Sequence, residues 1–156
     1  MALGANLGDP QATILKAMND LALTEGVSLI KCSSLYRTAP VDSSGPDYVN
    51  AVVEVRTVLT APALLAQLQA LEQTGGRQRP FRNAPRTLDL DLLTFGEARI
   101  QSEPLTIPHP RMGARAFVLV PLAEIAPQVV TAAQLQAVRT QHISRLGKRL
   151  GAAGKR

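Results

Sequence analysis

Two aspartates one residue apart, Asp89 and Asp91, sit in the run Arg86-Thr87-Leu88-Asp89-Leu90-Asp91-Leu92-Leu93. Side chains alternate along a strand, so a strand here turns Leu88, Leu90 and Leu92 to one face and Thr87, Asp89 and Asp91 to the other. Aspartate is depleted in strands, and two carboxylates about 7 Å apart on a half-buried face repel unless something positive stands between them. A divalent cation removes that repulsion. The octapeptide alone is equally compatible with an amphipathic strand whose acidic face is simply solvated. Just upstream, the stretch from Gly76 to Arg86 places Arg77, Arg79, Arg82 and Arg86 before the acidic pair. Each guanidinium is a planar fork of donors suited to phosphate oxygens. Magnesium typically takes one or two carboxylates plus substrate phosphates, so acids beside arginines are the parts of a metal–nucleotide site. The combination predicts phosphoryl-type transfer.

Other residues carry weaker signals. His109 is held between Pro108 and Pro110 with Arg111 and Arg115 close by, which suits a donor facing phosphate; His142, in a basic segment, is expected to be solvated. Glu72 falls near a helix end, where a carboxylate opposes the dipole and a positive partner helps. A surface role and a salt bridge to the arginine loop are both open for it. Tyr48 and Asn50 share a strand face, where an amide can read a planar heterocycle or stand solvated. Gly4-Ala5-Asn6-Leu7-Gly8 lacks the endings of a P-loop or a dinucleotide loop and reads as a tight strand-to-helix turn.

The elements that must position these groups follow from patterning. A short apolar strand at Ala2 to Ala5 leads to Asp9-Pro10, a helix cap with proline in the first turn. Ile14, Leu15, Met18, Leu21 and Ala22 then recur at helical spacing up to Gly26. Strands are predicted from Val27 to Tyr36 and from Tyr48 to Leu59, joined by a long loop with Pro40, Ser43, Ser44, Gly45 and Pro46. Thr60 caps a second helix built on Leu64, Leu65, Leu68 and Leu71 and ending at Gly75-Gly76, after which the arginine loop delivers the acidic strand. The order β-α-β-β-α-β predicts an α+β, ferredoxin-like sandwich with a mostly antiparallel sheet and an added C-terminal strand and helices. Past Phe95-Gly96 a short strand is expected at Arg99 to Gln101, then a Pro-His-Pro turn, then helices over Arg115 to Glu124 and Ala132 to Leu150.

Composition bounds the class. The chain of 156 residues, 46% hydrophobic, suits one domain over residues 1–150 with a substantial core, and residues 151–156 read as a basic, disordered tail. No apolar run approaches the ~18 residues of a membrane span. The first residues lack the pattern of a secretion signal, and the single Cys32 makes no internal disulfide and reads as a packed thiol. A cytoplasmic monomer is expected. The net charge of +5 resides in residues 139–156, whose six Lys/Arg set aside leave eleven basic against twelve acidic residues. The basic balance therefore does not mark the body of the chain as nucleic-acid-binding.

Taken in order, these residues resemble the 6-hydroxymethyl-7,8-dihydropterin pyrophosphokinase family, folate-pathway enzymes that move pyrophosphate from ATP to a pterin alcohol and leave AMP. The likeness runs from Leu3 to about Val130. It rests on Gly4-Ala5-Asn6-Leu7-Gly8, Tyr36-Arg37-Thr38-Ala39-Pro40, Pro46-Asp47-Tyr48-Val49-Asn50, Glu72 with Gly76-Arg77-Gln78-Arg79, Pro85-Arg86-Thr87-Leu88-Asp89-Leu90-Asp91, Pro108-His109-Pro110 and Arg115-Ala116-Phe117. The resemblance implies that Asp89 and Asp91 hold two Mg²⁺ ions bridging ATP and the substrate hydroxyl. By the same resemblance Gln69, Glu72, Arg77, Arg79, Arg86, His109 and Arg115 bind ATP, and Arg77 and Arg86 join the two aspartates in catalysis. Thr38, Pro40, Tyr48, Asn50 and Phe117 are implied to line the pterin pocket, with Phe117 stacking on the ring and Asn50 reading its amide edge. The loops at residues 40–47 and 77–86 match the family's lids. The chain departs from the pattern in having no tryptophan in the second lid and in carrying Ala5 where serine is usual.

Two other classes fit part of the sequence. Ferredoxin-like nucleotidyl transferases and cyclases also pair acids on a sheet, but they leave the Pro-His-Pro turn and the pterin-pocket residues unexplained. A nucleic-acid-binding module would want aromatic stacking platforms, and the chain has three Phe, two Tyr and no Trp.

Overall fold

A computed structural model describes residues 1–40, 45–74 and 88–147. The chain opens on strand β1 (Ala2–Ala5), turns at Gly8 with φ +65°, and enters helix α1 (Pro10–Leu23). The Asp9 side chain accepts from the Ala12 N–H at 3.2 Å, and Pro10 occupies the first turn, where its missing N–H has no partner to lose. The buried stripe is Ile14, Ala17, Met18 and Leu21. Leu15 (41% exposed) and Ala22, expected on that face, lie outside it, because the i, i+3, i+4, i+7 row runs through Ala17.

The predicted strand from Val27 to Tyr36 is two strands, β2 (Val27–Cys32) and β3 (Tyr36–Thr38), laid end to end along the ten-residue strand β4 (Tyr48–Thr57). Serine causes the break. At Ser33 the backbone N–H still reaches the Val52 carbonyl at 2.9 Å, while the side-chain oxygen accepts the Val52 N–H at 2.9 Å and donates to the Ser34 carbonyl at 2.7 Å. A side chain thus replaces a ladder bond. Cys32 is buried in β2, where burial pushes its thiol pKa up and keeps it inert.

Helix α2 (Ala61–Thr74) begins at Thr60, whose hydroxyl accepts from the Ala63 N–H at 3.2 Å, and it buries Ala61, Leu64, Leu68 and Glu72. Strand β5 (Asp89–Asp91) follows, and β6 (Ile100–Gln101) with β7 (Thr106–Ile107) makes a separate two-stranded ribbon. Helix α3 (Ala116–Ile125) matches the expected span within one residue at each end. The long helix expected from Ala132 is not present. Helix α4 (Ala132–Ala137), with a Thr131/Gln134 capping box, stops after six residues, and the chain becomes strand β8 (Ile143–Arg145), antiparallel to β3. Thr140, His142, Ile143 and Ser144 are middling helix formers, and the open edge of β3 offers them ladder bonds that a helix would forgo.

The result is an α+β fold whose main sheet runs β5–β1–β4–β3–β8, with β2 also on β4 and every pairing antiparallel. One face meets α1 and α2 through Leu3, Ala5, Val49, Ala51, Val53 and Leu90. The opposite face carries α3, which packs Val118 and Ile125 on Ala2, Val52 and Leu93. Among the described residues α3 covers only part of that face, and a cleft lies beside it.

Candidate active site

The open part of the sheet is where the acidic pair emerges. In β5, Leu90 is 4% exposed and points into the core, while Asp89 is half-buried and Asp91 exposed. Strand register sets their neighbours. Asp89 pairs with Gly4 of β1, Gly4 with Asn50 of β4, and Asn50 with Tyr36 of β3; one step along, Asp91 pairs with Ala2 and Ala2 with Val52. Residues directly opposite in adjacent strands share a face. A cleft of about 220 Å³ forms there, with Asp89 and Asp91 at one side and Thr38, Tyr48 and Asn50 at the other; Arg115 and Phe117 complete its wall.

Gly4 has a role other than the turn expected of it, which belongs to Gly8. It lies within β1, and a Cβ there would stand 3.1 Å from Asn50 Oδ1. The missing side chain is what lets the Asn50 amide lie over the neighbouring strand. Asn50 and Thr38 are each 5% exposed, and Asn50 Nδ2 donates to Thr38 Oγ1 at 2.7 Å. With Nδ2 turned to Thr38, Oδ1 lies on the Gly4 side.

Pro40 lines an adjoining cavity of about 340 Å³, shared with Arg115, Phe117, Gln141 and His142. The Arg115 guanidinium carbon lies 5.2 Å from the Phe117 ring centroid, a cation–π contact that joins the two side chains. His142 is exposed as expected, yet it forms part of this wall.

His109 donates its backbone N–H to the Leu93 carbonyl at 2.8 Å, and its Nδ1 accepts the Arg111 N–H at 3.1 Å. Nδ1 being an acceptor, the ring proton sits on Nε2. Burial lowers the pKa of His109; Asp91 pulls it up, while Arg115 and Arg111 add to the lowering. The ring is therefore a neutral donor at neutral pH, beside two cations and an aspartate.

Glu72 is neither a surface residue nor a free one. It is 7% exposed, and its Oε2 accepts the Leu90 N–H at 2.8 Å. β5 is an edge strand whose outward N–H would otherwise lie unpaired, so α2 fastens the very residue between the two aspartates. Gln69 stands on the exposed side of α2. Arg77, Arg79 and Arg86, with the whole expected lid at 77–86 and residues 41–44 of the other, lie outside the described residues.

One polar cluster escaped the sequence reading. Glu124, the lone charge of the otherwise apolar α3, accepts from Tyr36 Oη at 2.7 Å, from the Ser34 N–H at 3.0 Å and hydroxyl at 2.8 Å, and from Arg145 at 2.8 Å. Burial opposes ionisation of Glu124, but the bonds from Tyr36, Ser34 and Arg145 overcome it and hold the carboxyl down to about 2. Burial and the bond to Glu124 push the Tyr36 phenol up to about 12. The signal available beforehand was a carboxylate isolated in Ala-Phe-Val-Leu-Val-Pro-Leu-Ala-Glu-Ile, since a charge on such a face needs partners.

Two acids, a recessed amide–hydroxyl pair and Arg115 thus share one cleft, and His109 lies close enough to Asp91 and Arg115 for their charges to act on it. Among the described residues no three His, Cys, Asp or Glu side chains form a metal cage. Two carboxylates two residues apart on one strand and lining one cleft suit a hard cation that keeps other oxygen ligands. Residues 1–127 match the family described as 7,8-dihydro-6-hydroxymethylpterin-pyrophosphokinase. The chain belongs to that family and is a pyrophosphokinase. Relatives that bear the name 2-amino-4-hydroxy-6-hydroxymethyldihydropteridine pyrophosphokinase include the following three. The one from Synechocystis sp. is 46% identical over 130 residues, covering 83% of this chain and 67% of the relative. That from Haemophilus influenzae is 44% identical over 131 residues, 83% of this chain and 82% of the relative. That from Bacillus subtilis is 43% identical over 130 residues, 83% and 78%. For this pyrophosphokinase the family region ends at residue 127, so α4 and β8 lie beyond it. Among the described residues no helix is long and apolar enough to cross a membrane.

Proposed function

We propose that the chain transfers the β,γ-diphosphate of ATP to the hydroxymethyl group of 6-hydroxymethyl-7,8-dihydropterin, releasing AMP in folate biosynthesis, as a cytoplasmic monomer. One observation carries this reading: Asp89 and Asp91 open onto the same cleft as the buried Asn50–Thr38 pair. An anionic end and a heterocycle-reading end lie side by side. Strand order supports a ferredoxin-like plan, with β2 and β3 taken as one interrupted strand.

Asp89 and Asp91 hold two Mg²⁺ ions, which when bound neutralise phosphate charge and orient the reacting oxygens. Asn50 Oδ1 accepts from the pterin's amide edge while Thr38 holds the carboxamide in place, and Phe117 and Tyr48 enclose the ring. Arg115 and the His109 Nε2–H bind phosphate oxygens; Gln69, Glu72, Arg77, Arg79 and Arg86 complete the nucleotide side. The hydroxymethyl oxygen forms a bond to the β-phosphorus as the bond from that phosphorus to the α–β bridging oxygen breaks, and one carboxylate of the acidic pair takes the hydroxyl proton. Positioning and charge neutralisation do most of such a transfer.

The test is incubation with ATP, magnesium and the reduced pterin alcohol, followed by chromatography. AMP is the expected product; ADP would mean transfer of a single phosphate. Asp89→Asn and Asp91→Asn should each lower AMP formation by about 100-fold or more without lowering the melting temperature. Near-normal turnover by both variants refutes the assignment.

A further inference from the structure

We propose that Gln141, which lies outside the family region, is a positioning residue for Arg115. Its Oε1 accepts the Ala116 N–H at 2.9 Å and its Nε2 donates to the Ala114 carbonyl at 3.0 Å. These are the two peptide groups that flank Arg115. A single carboxamide therefore grips the backbone on both sides of that residue, as a strand partner would.

Nothing local does this. Arg115 is the cap position of α3, with φ −125° and ψ 119°, and no side chain caps the helix start there. Ala116 provides one of the first-turn N–H groups that have no partner within a helix, and Gln141 supplies the missing acceptor. Gln141 is itself anchored: its N–H donates to the Val138 carbonyl at 3.0 Å, and two residues on Ile143 pairs with Thr38 in the sheet. The backbone torsions of Arg115 set the direction in which its side chain leaves the chain, and so the region its guanidinium can reach. The guanidinium lies over Phe117, and Arg115 lines both cavities.

This inference rests on the reading of Arg115 as a phosphate ligand. Its test is a double-mutant cycle on the full chain with Gln141→Leu, Arg115→Ala and the combination. Calorimetry would measure the Kd of a non-hydrolysable ATP analogue with magnesium, and thermal melts would be run alongside. Gln141→Leu should weaken binding about tenfold in the wild-type background and have no further effect once Arg115 is alanine. Gln141→Glu keeps the acceptor for Ala116 and loses the donor to Ala114, so it should fall between, and it serves if the leucine variant does not fold. Equal losses in both backgrounds, or a lower melting temperature with unchanged Kd, would mean a purely structural glutamine. If Arg115→Ala alone left the Kd unchanged, the phosphate role of Arg115 would fall and this inference with it; an effective Arg115→Ala beside a silent Gln141→Leu would overturn the inference alone.

Discussion

At the residue scale the site depends on groups that are restrained by a second group. Asn50 is held by Thr38 through Nδ2, with Oδ1 on the Gly4 side, and it has room because residue 4 has no Cβ. A methyl at that point would meet the amide oxygen at 3.1 Å, and one of the two must give by a few tenths of an ångström. Gly4→Ala should therefore raise the Kd for the pterin several-fold, about 1 kcal/mol for a misaligned hydrogen bond, and leave the Kd for the nucleotide unchanged. Separate titrations with each ligand check this. Equal weakening of both would show a general disturbance of the cleft. The acidic pair is restrained in the same way, through the Leu90 N–H that Glu72 accepts.

At the element scale Glu124 ties α3 to β3 and β8 through Tyr36, Ser34 and Arg145. The carboxyl moves from an ordinary value of 4.5 to about 2 on folding. A depressed folded-state value means that the stabilisation is complete above about 4.5 and is lost as pH falls toward about 2. Thermal melts across that window should show a steep acid limb in the wild type. Glu124→Gln should be less stable at neutral pH, with the gap to wild type closing as pH falls. A constant gap would show that ionised Glu124 contributes nothing. Tyr36 stands opposite Asn50 and two residues before Thr38, so this cluster also holds the strand that carries Thr38 into the cleft.

At the scale of the whole molecule, ligands that bind only the folded state stabilise it by mass action. A non-hydrolysable ATP analogue with magnesium and the pterin, at about 100 times its Kd, should add roughly 2.7 kcal/mol, which for a chain of this size raises the melting temperature by about 5–10 °C. EDTA should cancel the nucleotide's share, because the acidic pair then faces the triphosphate unshielded; RNA should produce no shift. A shift that survives EDTA would remove the metal from the proposal. The alternation of Leu88, Asp89, Leu90 and Asp91, the Asp9-Pro10 start of α1 and the Thr60 start of α2 were readable from sequence because strand period and helix capping are set by neighbours a few residues apart. The ordered motifs likewise identified the family. The division of one expected strand into β2 and β3, the end of α4 and the edge pairing of β8 were not readable, since each depends on which backbone groups a distant segment leaves open. Sequence by itself determined the family and nominated Asp89, Asp91, Thr38, Asn50, Arg115 and Phe117 as residues to look for together. Only the tertiary structure decided that they meet, because strand register puts Asp89, Gly4 and Asn50 in one row and, among the described residues, α3 leaves a cleft along it.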